Sequence, residues 1–145
     1  REKPVFGWGP GTYQFQYAPF QRSSERTIIS TNLGDVGNAH SEYIGPLAEQ
    51  GMPGMIIVIV LFITIIITGI QTFRRGTSRE VKIISLSITL SFITYFTHGF
   101  LNNFLDTDKA SVPFWAFAAA LVSLRMYYCD DSLSEQTKKT EHLKE

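Results

Sequence analysis

The chain has 145 residues, a formal net charge of zero and a mean hydropathy close to zero. These averages would suit a soluble domain, but residues 52–73 carry no charged side chain, and about 20 apolar residues are enough to cross a bilayer core. The neutral charge and the absence of a basic stripe argue against a nucleic-acid partner. Cys129 is the single cysteine and can form no internal disulfide.

Residues 1–50 are mostly polar and are predicted to form an extracytoplasmic loop with one short helix. Gly7, Gly9 and Gly11 permit positive φ and a close approach of two backbones, as a tight turn requires. The aromatic alternation in residues 13–17 favours a short strand or extended segment.

A short helix is predicted to begin at Ala39, with Asn38 as its N-cap and Gly51 as its terminator. This helix would place His40 at the edge of the membrane. Glu49, in its last turn, could line the site or face water, and we favour water.

Three membrane-spanning helices are predicted after this loop. Their bounds are 51–73, 82–100 and 112–128, with a connector at 74–81, a loop at 101–111 and a tail at 129–145. We predict helices rather than strands because a helix satisfies its backbone groups within one segment, as a bilayer requires.

The distribution of cations predicts the orientation of these spans. Arg74, Arg75, Arg79 and Lys82 cluster at the first connector, whereas the loop at 101–111 holds one lysine. The positive-inside rule therefore places the connector and the tail in the cytoplasm and both loops outside.

The second span carries a polar stripe, formed by Ser87, Ser91, Thr94 and His98 at helical spacing. One interpretation is that the stripe turns inward and lines a polar cavity, because a histidine in or beside the bilayer is costly. The alternative, with about equal weight, is that the hydroxyls only bond their own helix backbone or a neighbouring helix.

Two motifs carry a resemblance to a known family. His40 and Ser41, nine residues, then Gly51-x-x-Gly54 agree with the His-[Asn/Ser/Gln]-x9-Gly-x-x-Gly pattern of the O-antigen ligase and O-antigen polymerase superfamily. Residues 4–11 resemble the Pro-x-x-Gly-x-Gly-x-Gly turn that opens the large periplasmic loop of that family. The resemblance covers roughly residues 4–73 and implies a mainly α, GT-C-like transmembrane helix bundle. Because 145 residues with three membrane crossings are few for a polytopic enzyme, we expect this chain to be the C-terminal part of a longer protein.

The resemblance implies a glycosyltransferase that needs no metal or other cofactor. Its donor would be a glycan linked to undecaprenyl diphosphate, and its acceptor a hydroxyl of the lipid A core, of a growing O-antigen chain or of another surface glycan. The site would lie at the periplasmic face of the bacterial inner membrane. His40 matches the histidine of the family, which is proposed to act as general base on the acceptor hydroxyl, a role that suits the pKa of imidazole.

Further substrate-binding candidates have weaker support, either from the glycine turn or from location alone: Gly7, Gly9, Gly11, Arg22, Arg26, His98 and Asp106. Arginines could stabilise the leaving diphosphate, although solvated loop arginines are ordinary. His98 and Asp106 could bind the acceptor or only fix the outer loop to the helix ends. No motif with metal-ligand spacing is present in the sequence.

Two rival interpretations of the chain stay open. In one, the chain is a segment of a transporter or channel, with the polar stripe lining a path and His40 gating it. In the other, the chain is a membrane anchor that carries a binding loop.

Overall fold

The structure of the protein is a computed structural model that describes residues 5–27, 37, 39–106 and 108–129. Its helices are α1 (Tyr13–Gln16), α2 (Ile44–Arg75), α3 (Arg79–His98) and α4 (Asp108–Tyr127), with 3-10 turns at Ala18–Phe20, Ser23–Glu25 and Phe104–Asp106. The described part of the chain contains no β-strand. Three helical stretches are long and apolar enough to span a membrane: Ile44–Arg75, Arg79–His98 and Lys109–Tyr127. The chain is therefore a mainly helical, multi-pass membrane protein.

The aromatic segment at 13–17 forms a helical turn, so the prediction of an extended segment was wrong. The backbone amide of Gln16 donates to the carbonyl of Thr12 at 3.1 Å, and that of Tyr17 donates to the carbonyl of Tyr13 at 2.9 Å. The rings of Tyr13 and Tyr17 stack with their centroids 5.3 Å apart. Residues four apart lie on one face of a helix, and residues two apart lie on one face of a strand. The aromatic pattern of a segment of only five residues therefore fits both structures.

Helix α2 begins at Ile44, five residues after the predicted start at Ala39. The hydroxyl of Ser41 accepts hydrogen bonds from the backbone amides of Tyr43 and Ile44, both at 3.3 Å. Ser41 therefore supplies the N-terminal cap, because its side chain satisfies amides that have no partner within the helix. Asn38, the predicted cap, lies outside the described residues.

A break at Gly51 divides α2 into a short segment, 44–50, and a long one, 52–75. Gly51 has φ 72° and ψ −161°, which no helical residue adopts, and Pro53 follows two residues later. Proline has no backbone N–H, so the carbonyl of Glu49 loses its usual donor four residues ahead. The predicted span at 51–73 corresponds to the long segment.

The chain divides into two compact units, of which the first comprises Arg1–Phe62 and Phe96–Ala110. Its core is aromatic. Phe62 and Phe96 are buried and stack with centroids 3.6 Å apart, and the ring of Tyr43 lies edge-on to Phe62 at 5.5 Å.

The second unit comprises Ile63–Tyr95 and Ser111–Glu145, and small polar residues form part of its core. Thr72 and Ser85 are completely buried. Gly69 lies so close to Thr89 that a Cβ on the glycine would overlap the threonine side chain. Small residues at such positions let helix backbones approach closely, and this packing is the main source of helix association in lipid.

The polar stripe on α3 is exposed in the described part of the chain, which fits the alternative in which its hydroxyls bond their own helix. Ser87, Ser91, Thr94 and His98 are all exposed. The hydroxyl of Ser91 donates to the carbonyl of Ser87 at 2.9 Å, and that of Thr94 donates to the carbonyl of Leu90 at 3.0 Å. Because these hydroxyls are satisfied by their own helix, the stripe needs no polar cavity.

The contact between Gly69 and Thr89 predicts that Gly69→Ala destabilises the protein. Overpacking costs about 1–3 kcal/mol, and the direct overlap with the side chain of Thr89 places this substitution in the upper part of that range. The cost there exceeds the gain of about 1 kcal/mol in helix propensity. Unfolding in mixed detergent micelles would measure the change, with Ile67→Ala as a control at an exposed position of the same helix. Thr89→Ala should recover part of the loss, because it removes the overlapping atoms. Equal stability of Gly69→Ala and the parent protein would contradict this packing.

Candidate functional site

The glycine turn at residues 7–11 packs directly against the break in α2. A Cβ on Gly7 would overlap the backbone carbonyl of Glu49, and a Cβ on Gly51 would overlap the backbone carbonyl of Val5. Both glycines have positive φ, 64° and 72°. Each glycine therefore provides the space for the backbone of the other segment, which only a residue without a side chain can do.

The turn also donates hydrogen bonds to backbone carbonyls at the break. The amide of Trp8 donates to the carbonyl of Ala48 at 3.2 Å, and the amide of Gly9 donates to that of Glu49 at 2.7 Å. The second bond replaces the one that Pro53 cannot supply. These bonds stabilise an interruption that would otherwise expose polar backbone at a membrane boundary.

Glu49 fixes the other end of the turn through its side chain, so the expectation that it faces water was wrong. One carboxylate oxygen accepts from the amide of Gly11 at 2.7 Å, and the other accepts from the amide of Tyr13 at 3.2 Å. Hydrogen bonds to a charged acceptor are stronger than neutral ones. A single side chain of α2 thus fixes both the turn and the start of α1.

Glu42 connects the segment before α2 to the loop after α3. It was not predicted as a site residue. Its side chain is buried, its amide donates to the carbonyl of Gly99 at 2.9 Å, and its carboxylate accepts from the amide of Leu105 at 2.8 Å. Burial raises the pKa of the neighbouring Tyr43, and the charge of Glu42 raises it further. An acidic residue two positions after a motif histidine was the only sequence signal available.

A cavity of about 510 Å³ lies in this first unit. Its lining carries two carboxylates, two amides and two hydroxyls: Gly11, Tyr13, Gln14, Gly37, Ala39, Ser41, Glu42, Gly45, Glu49 and Asn103. Neither arginine nor lysine is among these described lining residues. Burial raises the pKa of the Tyr13 phenol, with a smaller contribution from Tyr17, so the phenol stays protonated at neutral pH. The cavity presents hydrogen-bonding groups and negative charge.

His40 lies at the edge of this cavity. It is exposed, and it follows Ala39 and precedes Ser41, both of which line the cavity. Its φ of 44° places it in the left-handed region, where it is the one non-glycine residue of the described chain. Such conformations cost energy and persist where neighbouring contacts fix them. Here His40 is fixed on its C-terminal side, because the hydroxyl of the next residue, Ser41, donates to the carbonyl of Gly99 at 3.3 Å.

The glycines named from the sequence have different positions. Gly11 lines the cavity, whereas Gly7 and Gly9 lie in the contact between the turn and α2. Gly54 is buried within α2, where a Cβ would come within 2.9 Å of the carbonyl of Pro46. The motif glycines thus shape the backbone around the site.

The charged candidates lie away from the cavity lining. Arg22 and Arg26 are exposed on either side of the 3-10 turn Ser23–Glu25. His98 is exposed at the end of α3. Asp106 closes the 3-10 turn after α3, and its side chain lies outside the described part of the structure.

Comparison with protein-family models, curated proteins and solved structures gives no match. Within the described residues, no group of three or more His, Cys, Asp or Glu side chains is placed to hold a metal ion. The assignment of a function therefore rests on the residues and the geometry of the site itself.

Alanine substitutions at two glycines should separate the close contact from backbone strain. Gly11 has φ 73° with open space around it, whereas Gly51 has φ 72° and lies against Val5. Gly11→Ala is expected to cost about 1–2 kcal/mol, the penalty of a left-handed residue. Gly51→Ala should cost more, because the turn must also move away from α2.

Thermal unfolding in detergent and limited proteolysis of residues 5–27 would measure both effects. We expect rapid cleavage of that segment in Gly51→Ala and slow cleavage in Gly11→Ala. Equal behaviour of the two variants would show that the contact between the turn and the helix break adds nothing to stability.

Proposed function

We propose that this chain carries part of the active site of a glycosyltransferase of the O-antigen ligase and polymerase kind. The enzyme would transfer a glycan from undecaprenyl diphosphate to a hydroxyl acceptor at the periplasmic face of the bacterial inner membrane. The observation that carries the proposal is the packing of the glycine turn against the break in α2, where Gly7 lies against the backbone of Glu49 and Gly51 lies against the backbone of Val5. Two motifs that resemble those of one family, distant in sequence, pack against each other beside a polar cavity.

His40 is the proposed general base. Imidazole accepts a proton near neutral pH, and the residue stands at the cavity edge, where an acceptor hydroxyl could reach it. His40 would take the proton of that hydroxyl as its oxygen attacks the anomeric carbon of the donor sugar. The bond from that carbon to the diphosphate breaks, and the diphosphate leaves with the bonding electron pair.

The charge of the cavity favours the acceptor over the diphosphate as its occupant. Glu42 and Glu49 both line the cavity. Carboxylates accept hydrogen bonds from sugar hydroxyls and repel an anionic leaving group. The diphosphate would then need cations outside this lining, for which Arg22 and Arg26 are the candidates that the described chain offers.

The broken helix favours a second candidate function, in a transporter. Discontinuous membrane helices form ion and substrate sites in transporters, where unwound backbone carbonyls coordinate the ion. Here the carbonyls of Ala48 and Glu49 already accept hydrogen bonds from Trp8 and Gly9. These bonds make the interruption a poorer ion site, and we therefore rank the transporter second.

Replacement of His40 tests the catalytic proposal. His40→Ala in the full-length protein should lower glycan transfer by about 10²–10⁴-fold, the usual contribution of a general base. Transfer would be measured in membranes supplied with the lipid-linked donor, at equal protein level. His98→Ala is the matched histidine variant and should have a much smaller effect, because His98 lies off the cavity lining.

The donor should accumulate unused when His40 is replaced. Undiminished transfer by His40→Ala would remove the residue from the chemistry. Absence of transfer by the parent protein, together with accumulation of a solute or ion in proteoliposomes, would favour the transporter.

Replacement of Gln14 tests which substrate occupies the cavity. The residue lines the cavity, and its amide can exchange hydrogen bonds with sugar hydroxyls. Gln14→Ala should raise the KM for the acceptor by about tenfold, the loss expected for one or two hydrogen bonds, and leave the KM for the donor unchanged. An increase confined to the donor KM would place the donor in the cavity instead.

A further inference from the structure

Large apolar side chains are exposed at the end of the first unit where α2 begins its long segment and α3 ends. Phe6 and Leu101 are each 80% exposed, and Val5 and Phe100 are more than half exposed. Large apolar side chains exposed in this way mark surfaces that contact a partner or a membrane.

The depth of Val5 and Phe6 is fixed by a contact far away in sequence. The backbone of Val5 lies against Gly51, and residues 52–73 of α2, which follow at once, contain no charged side chain. Val5 and Phe6 therefore lie at the level where α2 enters the apolar layer.

Phe100 and Leu101 are held at the outer end of α3. They follow directly after His98, the last residue of α3. The amide of Glu42 bonds to the carbonyl of Gly99, and the ring of Tyr43 stacks on Phe100 with centroids 4.5 Å apart. These contacts fix the end of α3 beside the start of α2.

We propose that Val5, Phe6, Phe100 and Leu101 form a membrane-interface anchor, which inserts into the boundary between headgroups and acyl chains. The occupant of this surface is lipid. The surface is continuous with the exposed apolar face of the long segment of α2, where Met52 and Ile56 are 46% and 50% exposed. Aromatic and aliphatic side chains at a span end are stable at this depth, about 5–10 Å below the headgroups.

The anchor has a consequence for the cavity. Glu49, which lines the cavity, is two residues from Gly51 and therefore close to the same level. The anchor thus holds the cavity close to the boundary between headgroups and acyl chains, where it can receive a group carried on a lipid. This inference does not depend on glycosyl transfer and would hold for any activity of the site.

Site-directed labelling of the whole chain in proteoliposomes tests the anchor. In a Cys129→Ser background, single cysteines would be introduced by Phe6→Cys, Leu101→Cys and Ser24→Cys and labelled with the fluorophore NBD. Ser24 is the matched control because it is an exposed polar residue of the same unit. Val5→Cys replaces Phe6→Cys if the latter loses helix content by circular dichroism.

We expect the emission at positions 6 and 101 to be shifted to the blue and quenched by doxyl-labelled lipids. Parallax analysis should place both labels about 5–10 Å below the phosphates. The label at position 24 should be quenched by aqueous iodide instead. Iodide quenching at positions 6 and 101 equal to that at 24 would overturn the proposal. So would protection from both quenchers, because that result would indicate a protein partner on this surface.

Discussion

The structure depends on one requirement, that every backbone polar group at the interruption of α2 has a hydrogen-bond partner. Gly51 leaves the helical conformation and Pro53 supplies no amide, so carbonyls are released at the boundary of the apolar layer. Little water is available there to replace the lost bonds. The amides of Trp8 and Gly9 occupy these carbonyls, and they can approach only because Gly7 and Gly51 have no side chains.

The site follows from this contact. Once the glycine turn lies against the break, the carboxylate of Glu49 reaches the amides of Gly11 and Tyr13 and forms one wall of the cavity. Ser41 and Glu42, which also line the cavity, are held in place by hydrogen bonds to the loop after α3. His40 stands next to these two residues in a left-handed conformation. The proposed base therefore belongs to a segment that is fixed on its C-terminal side by buried hydrogen bonds.

The sequence predicted the helical class and three membrane spans, because a long run without charge has one stable solution in a bilayer. It also predicted the positive φ of Gly7, Gly9 and Gly11 and the interruption of the helix at Gly51, since positive φ restricts the residue type. It could not assign Glu49 or Glu42, because their partners are decided by long-range contacts; Gly11 is 38 positions from Glu49. It could not decide which way the polar stripe of α3 faces, because a hydroxyl that bonds its own helix can face either way.

Amide hydrogen exchange of the unmodified protein in nanodiscs is the most direct test of the central claim. Trp8 and Gly9 belong to an irregular turn near the surface, so without the contact to α2 their amides would exchange at the rate of an unstructured peptide. If they bond to the carbonyls of Ala48 and Glu49, exchange should be at least about tenfold slower, which corresponds to about 1.4 kcal/mol of local opening free energy. Unprotected exchange at both amides would show that the turn does not pack against the helix break, and the account of the site would fail with it.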